Sequence, residues 1–360
     1  MARLIQPRVA RAVARRLAGD EAMRDSYLME RLHRDLAETV PQSERLVAEA
    51  SGISPPPPVR WGVIDRAAWA DANFAGMNSL LSPLADKLGA RLDSLPPAAR
   101  VMQQGLVSVE VGALLGYVSR RVLGQYDLLV PETEGPPARG RGAPPNGGAA
   151  LYFVGPNIVE TERRFNFVPR EFALWISVHE VTHRFQFAGV PWLRERFFSL
   201  VHSYLSSTDL DARTLAGRLR TAGKRLLTGA VPAEERNPVY LLASPEQKET
   251  LEDIQALMSV VEGHGNYVMD SVGADVIPSF SRMRSVFDGR RAHVGRAQRA
   301  VNSVIGLDMK MRQYETGQRF CEAVVEASGR TALDKLWTGP ESFPSLAELR
   351  SPDRWLHRVA

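Results

Sequence analysis

Over most of this chain the apolar positions return every three or four residues among charged ones, which is the period of a helix. In residues 1–50 the series Val9, Val13, Leu17, Met23, Tyr27, Leu28, Leu32 and Leu36 predicts amphipathic helix. The run Ser54-Pro55-Pro56-Pro57-Pro58 cannot be helical and predicts a stiff connector. Ala67 to Leu81 is again helical, with Trp69, Phe74, Met77 and Leu81 on one face. Residues 99–122 form a helix rich in Val, Leu and Ala, and Gly105, Gly112 and Gly116 within it point to close helix packing at some cost in propensity. The period then changes. Gln125 to Val130 and Ala149 to Val154 read as short strands on either side of a Pro/Gly-rich stretch, 131–148, expected to be a mobile surface loop, and Gly155-Pro156-Asn157 reads as a turn.

Helical spacing resumes through Glu171, Phe172, Leu174, Trp175, Val178, Val181 and Phe185, with Pro169 just ahead and Gly189 and Pro191 as a stop. Residues 192–228 continue as helix, followed by a connector at Val231-Pro232. Ser244-Pro245-Glu246 is an N-cap signature opening a helix through Leu251, Ile254, Leu257, Met258 and Val261. A further helix spans Met309 to Phe320, and the tail from Trp337 through Pro340, Pro344 and Pro352 predicts loops with short helical pieces. The expected class is α+β, predominantly α-helical, with a small sheet beside the helix centred on Trp175 to His183. The expected organisation is a helical N-terminal lobe over 1–123 and a second region over 124–360.

At 360 residues the chain can bury a sizeable core. A net charge of +4 is small for that length and is not gathered into a single basic stripe, so no nucleic-acid partner is expected. The first nineteen residues are rich in Arg and lack acids, and Pro7 to Leu17 reads as a basic amphipathic surface helix, with membrane or partner docking a minor alternative. No run approaches 18 uninterrupted apolar residues, so no transmembrane segment is expected. The single cysteine, Cys321, excludes an intrachain disulfide, fits a cytoplasmic location, and reads as a small buried apolar residue.

The chemistry concentrates at His179-Glu180-Val181-Thr182-His183, an H-E-x-x-H pattern inside a predicted helix. Residues four apart share a helix face, so His179 and His183 can present imidazole nitrogens to one Zn²⁺, and Glu180 can serve as general base to water without ligating the metal. A catalytic zinc site needs one more donor. Glu262 and His264 sit close together in an otherwise apolar helix, and being two apart they lie on different faces, so one of them is expected to ligate. An oxyanion formed during hydrolysis would need a donor, for which Tyr152, Tyr267 and Tyr314 are candidates.

His179-Glu180-x-x-His183 followed by Glu262-Gly263 resembles the gluzincin branch of zinc metallopeptidases. There a Glu-Gly-aromatic step on a second helix supplies the third ligand; here His264 takes the aromatic place. More closely, the chain is similar to a bacterial zincin-like metallopeptidase family, whose members are named as hydrolases or for an association with deazaflavin-coenzyme biosynthesis. The resemblance is carried by Val118 to Tyr126, Phe153 to Ile158, His179 to Phe187, Glu262 to Asp270 and Met309 to Phe320. It implies a zincin-like fold, a zinc cofactor held by His179, His183 and Glu262, Glu180 as general base, and, by analogy, Tyr314 as oxyanion stabiliser. The separation of 79 positions (262 − 183) requires an inserted helical segment, 192–243, to fold back. The expected function is a zinc-dependent hydrolase, a peptidase acting on a peptide or another amide substrate. The alternative is a catalytically inactive zincin-like protein that keeps zinc as a structural or binding element.

Overall fold

The structure is a computed structural model that describes residues 4–19, 26–129, 150–208, 220, 240, 243–292 and 307–360. The expected loop at 131–148, residues 209–219 and 221–228 of the expected helix after Pro191, and the connector at Val231-Pro232 lie outside the described residues. Thirteen α-helices and three strands are described: α1 (Pro7–Ala18), α2 (Tyr27–Ser51), β1 (Trp61–Ile64), α3 (Arg66–Leu80), α4 (Ser82–Asp93), α5 (Pro97–Ser119), β2 (Gly124–Tyr126), β3 (Leu151–Val154), α6 (Gly155–Phe165), α7 (Pro169–Gly189), α8 (Pro191–Ser206), α9 (Pro245–Val276), α10 (Phe280–Ala292), α11 (Leu307–Ser328), α12 (Leu346–Leu349) and α13 (Pro352–Val359). A 3-10 helix, Arg330–Trp337, joins α11 to the tail. The architecture is mostly helical α+β.

The chain folds as two compact units, Met1–Gly189 with Val268–Arg284, and Val190–Tyr267 with Ser285–Ala360. In the first unit the sheet has the order β1-β3-β2, with β3 parallel to β1 and antiparallel to β2. Every side chain of β3 is buried. The sequence from Trp61 to Ile64, which carries no clear strand alternation, becomes a strand by pairing along β3. Two expectations are corrected here. The strand expected over Gln125 to Val130 is only Gly124–Tyr126, because the Asp127 carboxylate accepts from the Leu129 backbone N–H and turns the chain. Gly155-Pro156-Asn157 is not a turn but the opening of α6: a proline in the first helical turn sacrifices no hydrogen bond, and Ile158, Val159 and Glu162 continue one buried face.

Helix α7 is buried on nearly all sides, from Phe172 through Val178 and again at Val181, Thr182 and Phe185, so it shows no narrow apolar stripe. It packs along α2, whose buried face runs Leu32, Leu36, Thr39, Val40, Ser43 and Val47. Small hydroxyl residues at the centre let the two helices approach, and Thr39 Oγ1 lies 3.2 Å from Ser177 Oγ. Arg184, fully buried, is held by Glu44 at 3.0 Å and by the Pro57 carbonyl of the proline connector. With these partners the buried guanidinium ties α7 to α2 and to the proline connector, and the Glu44 carboxylate offsets its charge.

In the second unit Phe320, Cys321, Val324, Leu333, Leu336 and Trp355 build a core with Ala256 and Val260 of α9. Burial pushes the Cys321 thiol pKa up, which leaves it the inert apolar residue expected. Helices α9 and α11 cross at Gly263 and Gly317: a Cβ on Gly263 would overlap the Gly317 backbone, and one on Gly317 would overlap the Ser259 carbonyl. The Ser244 cap is present, with its hydroxyl accepting from the Gln247 N–H at 3.2 Å.

Candidate metal centre

Helix α7 presents His179 and His183 one turn apart, both half-buried, with their rings edge to face at 80°. Their Nε2 atoms are 3.2 Å apart. Two nitrogens bound tetrahedrally at about 2.0–2.1 Å to one zinc would be separated by roughly 3.3 Å, so the α-helical geometry alone brings this pair to ligand spacing. His183 is also held from behind: its Nδ1 lies 3.0 Å from Gln186 Oε1, one turn on along α7. With Nδ1–H donating to that oxygen, the lone pair is left on Nε2, the atom facing His179.

Glu180 is buried and folds over β2. A Cβ at Gly124 would come within 2.6 Å of its Cγ and 3.0 Å of its Oε1, so only glycine leaves this carboxylate its place. Neither Gln186 nor Gly124 was singled out from the sequence. For Gln186 the signal was available, as a polar residue three after His183 in a helix; for Gly124 it was not, since the contact depends on how β2 passes α7.

On α9, Glu262 is buried between apolar neighbours, and the ligand atoms of His179, His183 and Glu262 all lie within 4.8 Å of one another. This is the one such group among the described residues. His264 is not part of it. Its buried ring packs edge-on against Trp337 at 4.9 Å between centroids, with Tyr267 at 6.5 Å. Of the tyrosines, Tyr152 is buried and donates to Asp127 Oδ2 at 3.2 Å; burial first, and the Asp127 charge second, push its pKa well above the usual value. Its proton is therefore committed away from any substrate. Tyr267 packs against the core of the second unit. Tyr314 lies on α11 one turn before Gly317, and its side chain is outside the described residues.

The sequence profile of the zincin-like metallopeptidase family matches residues 5–356. The chain belongs to that family. No protein of curated function matches it. Among solved structures it is similar to a crystal structure from Chloroflexus aurantiacus, described as a candidate hydrolase with a novel fold. The two share 31% sequence identity and a TM-score of 0.71, with 99% of each chain covered. For this zincin-like metallopeptidase the donor set tests whether zinc fits: two imidazoles at metal-ligand spacing and one carboxylate form a set of the kind zinc binds with a further position open. The residues present fit the ion.

Proposed function

We propose that this chain is a zinc-dependent peptidase in which His179, His183 and Glu262 hold the ion and Glu180 is the general base. The observation that carries the proposal is the convergence of three donor atoms within 4.8 Å from two helices distant in sequence. When bound, zinc supplies the Lewis acidity that polarises a carbonyl and lowers the pKa of a coordinated water to about 7. Glu180, kept over Gly124 and adjacent in sequence to His179, accepts the proton of the attacking water and returns it to the amide nitrogen as the C–N bond breaks. A C–O bond forms in its place, so one water is consumed for each peptide bond cleaved. Tyr314 is proposed to donate to the oxyanion.

A peptide as the amide substrate is supported by β2. It pairs with β3 on one side only, so its other edge has no partner strand among the described residues, and its first residue lies against Glu180. An extended peptide added to that edge would run past the base. The test combines elemental analysis with turnover of a peptide library. One equivalent of zinc is expected in the wild type and in His264→Ala, and none in Glu262→Ala. Glu180→Gln is expected to keep its zinc and lose at least a hundredfold in kcat. Zinc bound with no turnover of any peptide, and no competition by a hydroxamate, would establish a structural zinc site instead.

A further inference from the structure

Helix α5 is the most apolar long helix among the described residues, yet only 22% of its apolar window is buried. Val101, Met102, Leu106 and Val109, between 47% and 69% exposed, form a stripe along its N-terminal half, and Gly105 between them opens it further. Further along the helix the same side is committed, since Ser108, Gly112 and Gly116 follow Val101, Gly105 and Val109 by seven residues and so share their face. Gly112 and Gly116 lie against the backbone of Ala10 and Ala14, and Ser108 Oγ accepts from the Gln6 N–H at 2.7 Å, so α1 runs alongside α5 in the same direction. A helix fastened in this way offers its flank, not its length, to an apolar medium.

Helix α1 adds charge to that flank. Arg11 and Arg15 reach Asp71 on α3, whereas Arg8 and Arg16 are exposed and make no ion pair among the described residues. Leu17, 43% exposed, rests on Gly116 and continues the apolar surface. Helix α1 carries four arginines and no acid, and α5 carries Arg100 against Glu110, so the two helices together hold +4, as much as the whole chain; Asp71 offsets Arg11 and Arg15, and Asp93 offsets Arg100, which leaves Arg8 and Arg16 as the basic part of this surface. Stable attachment to a bilayer takes two signals, an apolar wedge and a basic patch; the exposed stripe of α5 and the exposed Arg8 and Arg16 of the adjoining α1 supply one of each.

We propose that the α1–α5 face docks on the surface of an anionic lipid bilayer, with the Met102–Leu106–Val109 stripe entering the headgroup region and the arginines meeting lipid phosphates. A second copy of the chain fits this face less well. A two-fold contact would bring Arg8 and Arg16 towards their own copies, and the stripe has no Trp or Tyr to anchor a protein interface. The inference is independent of the zinc site.

The test is sedimentation of the full chain with vesicles of phosphatidylcholine alone or mixed with phosphatidylglycerol. Each surface arginine contributes about fivefold to the affinity at low salt, so binding to the mixed vesicles is expected to exceed that to phosphatidylcholine at least tenfold and to weaken as salt is raised. The double variants Arg8→Glu with Arg16→Glu, and Met102→Gln with Leu106→Gln, change exposed side chains and should each lose roughly tenfold or more with circular dichroism and melting unchanged. Equal binding to both vesicle types, no binding, or variants that bind like the wild type would overturn the proposal. So would a dimer, seen by analytical ultracentrifugation, that Met102→Gln with Leu106→Gln dissociates, since the face would then belong to a second copy.

Discussion

Gln186 and Gly124 show how two residues without catalytic chemistry of their own can set what their neighbours do. Gln186 is fully buried, and its oxygen holds Nδ1 of His183. Leucine at this position would fill a similar volume while leaving that nitrogen without its acceptor. Gln186→Leu is therefore expected to weaken zinc binding tenfold to a hundredfold, read by competition with a chromogenic chelator, while the apo protein stays folded. Gly124 acts on the other function. A single methyl there meets the Glu180 side chain, a flexible group that can shift aside, so Gly124→Ala should cost little stability. A displacement of the base approaching 1 Å is nevertheless expensive in rate. The expected outcome is a kcat reduced tenfold or more at full zinc occupancy, with melting nearly unchanged; a lowered zinc content would place the effect on the ligands instead. The H-E-x-x-H residues were legible because they are close in sequence and share one helix face. Gly124 was not, because nothing near it in the sequence says which side chain will cross it.

Among the elements, long helices were the easiest to read and short strands the hardest. The period of α2, α3, α5 and α9 extends over several turns, and caps such as Ser244 mark an end. By contrast β1 has four residues and β2 three, and their pairing with β3 decides their conformation. The sequence Gly-Pro-Asn at 155–157 carries both a turn signal and a helix-start signal, and the buried face that follows selects the helix. The crossing of α9 with α11 is an element-scale feature with a measurable energy. Gly263 and Gly317 allow backbone to touch backbone, and any Cβ at Gly317 must part the helices. Gly317→Ala is expected to destabilise the chain by about 1–3 kcal/mol, the usual cost of overpacking, despite the better helix propensity of alanine. Gly105→Ala, where nothing lies within 4 Å, should be neutral or slightly stabilising by the same thermal melting measurement.

For the molecule as a whole, the pattern gave a mostly helical chain with a small sheet, but not the return of residues 268–284 to the first unit. Helix α9 runs without a break through Tyr267 and Val268, so its periodicity carries no mark where one unit ends and the other begins. Here Ser279, whose backbone N–H and hydroxyl both donate to the Glu171 carboxylate in the first turn of α7, tells more than any sequence period. The donors proposed for zinc come from α7 and from α9, and an unfolded chain has no reason to keep Glu262 near His179 and His183. Binding is then linked to folding, and the ion stabilises the folded state by RT ln(1 + [Zn]/Kd), about 2.7 kcal/mol at a free concentration a hundredfold above Kd. Stripping the metal with a chelator should lower the melting temperature of the wild type by several degrees, and adding zinc back should restore it. Glu262→Ala, which lacks one donor, should melt at nearly the same temperature with and without chelator. His264→Ala should respond as the wild type does, although its own melting point falls because the ring packed on Trp337 is lost. If His264→Ala were the variant that lost its response, the third donor would be the histidine, and the assignment of Glu262 would fail even with the enzyme still active.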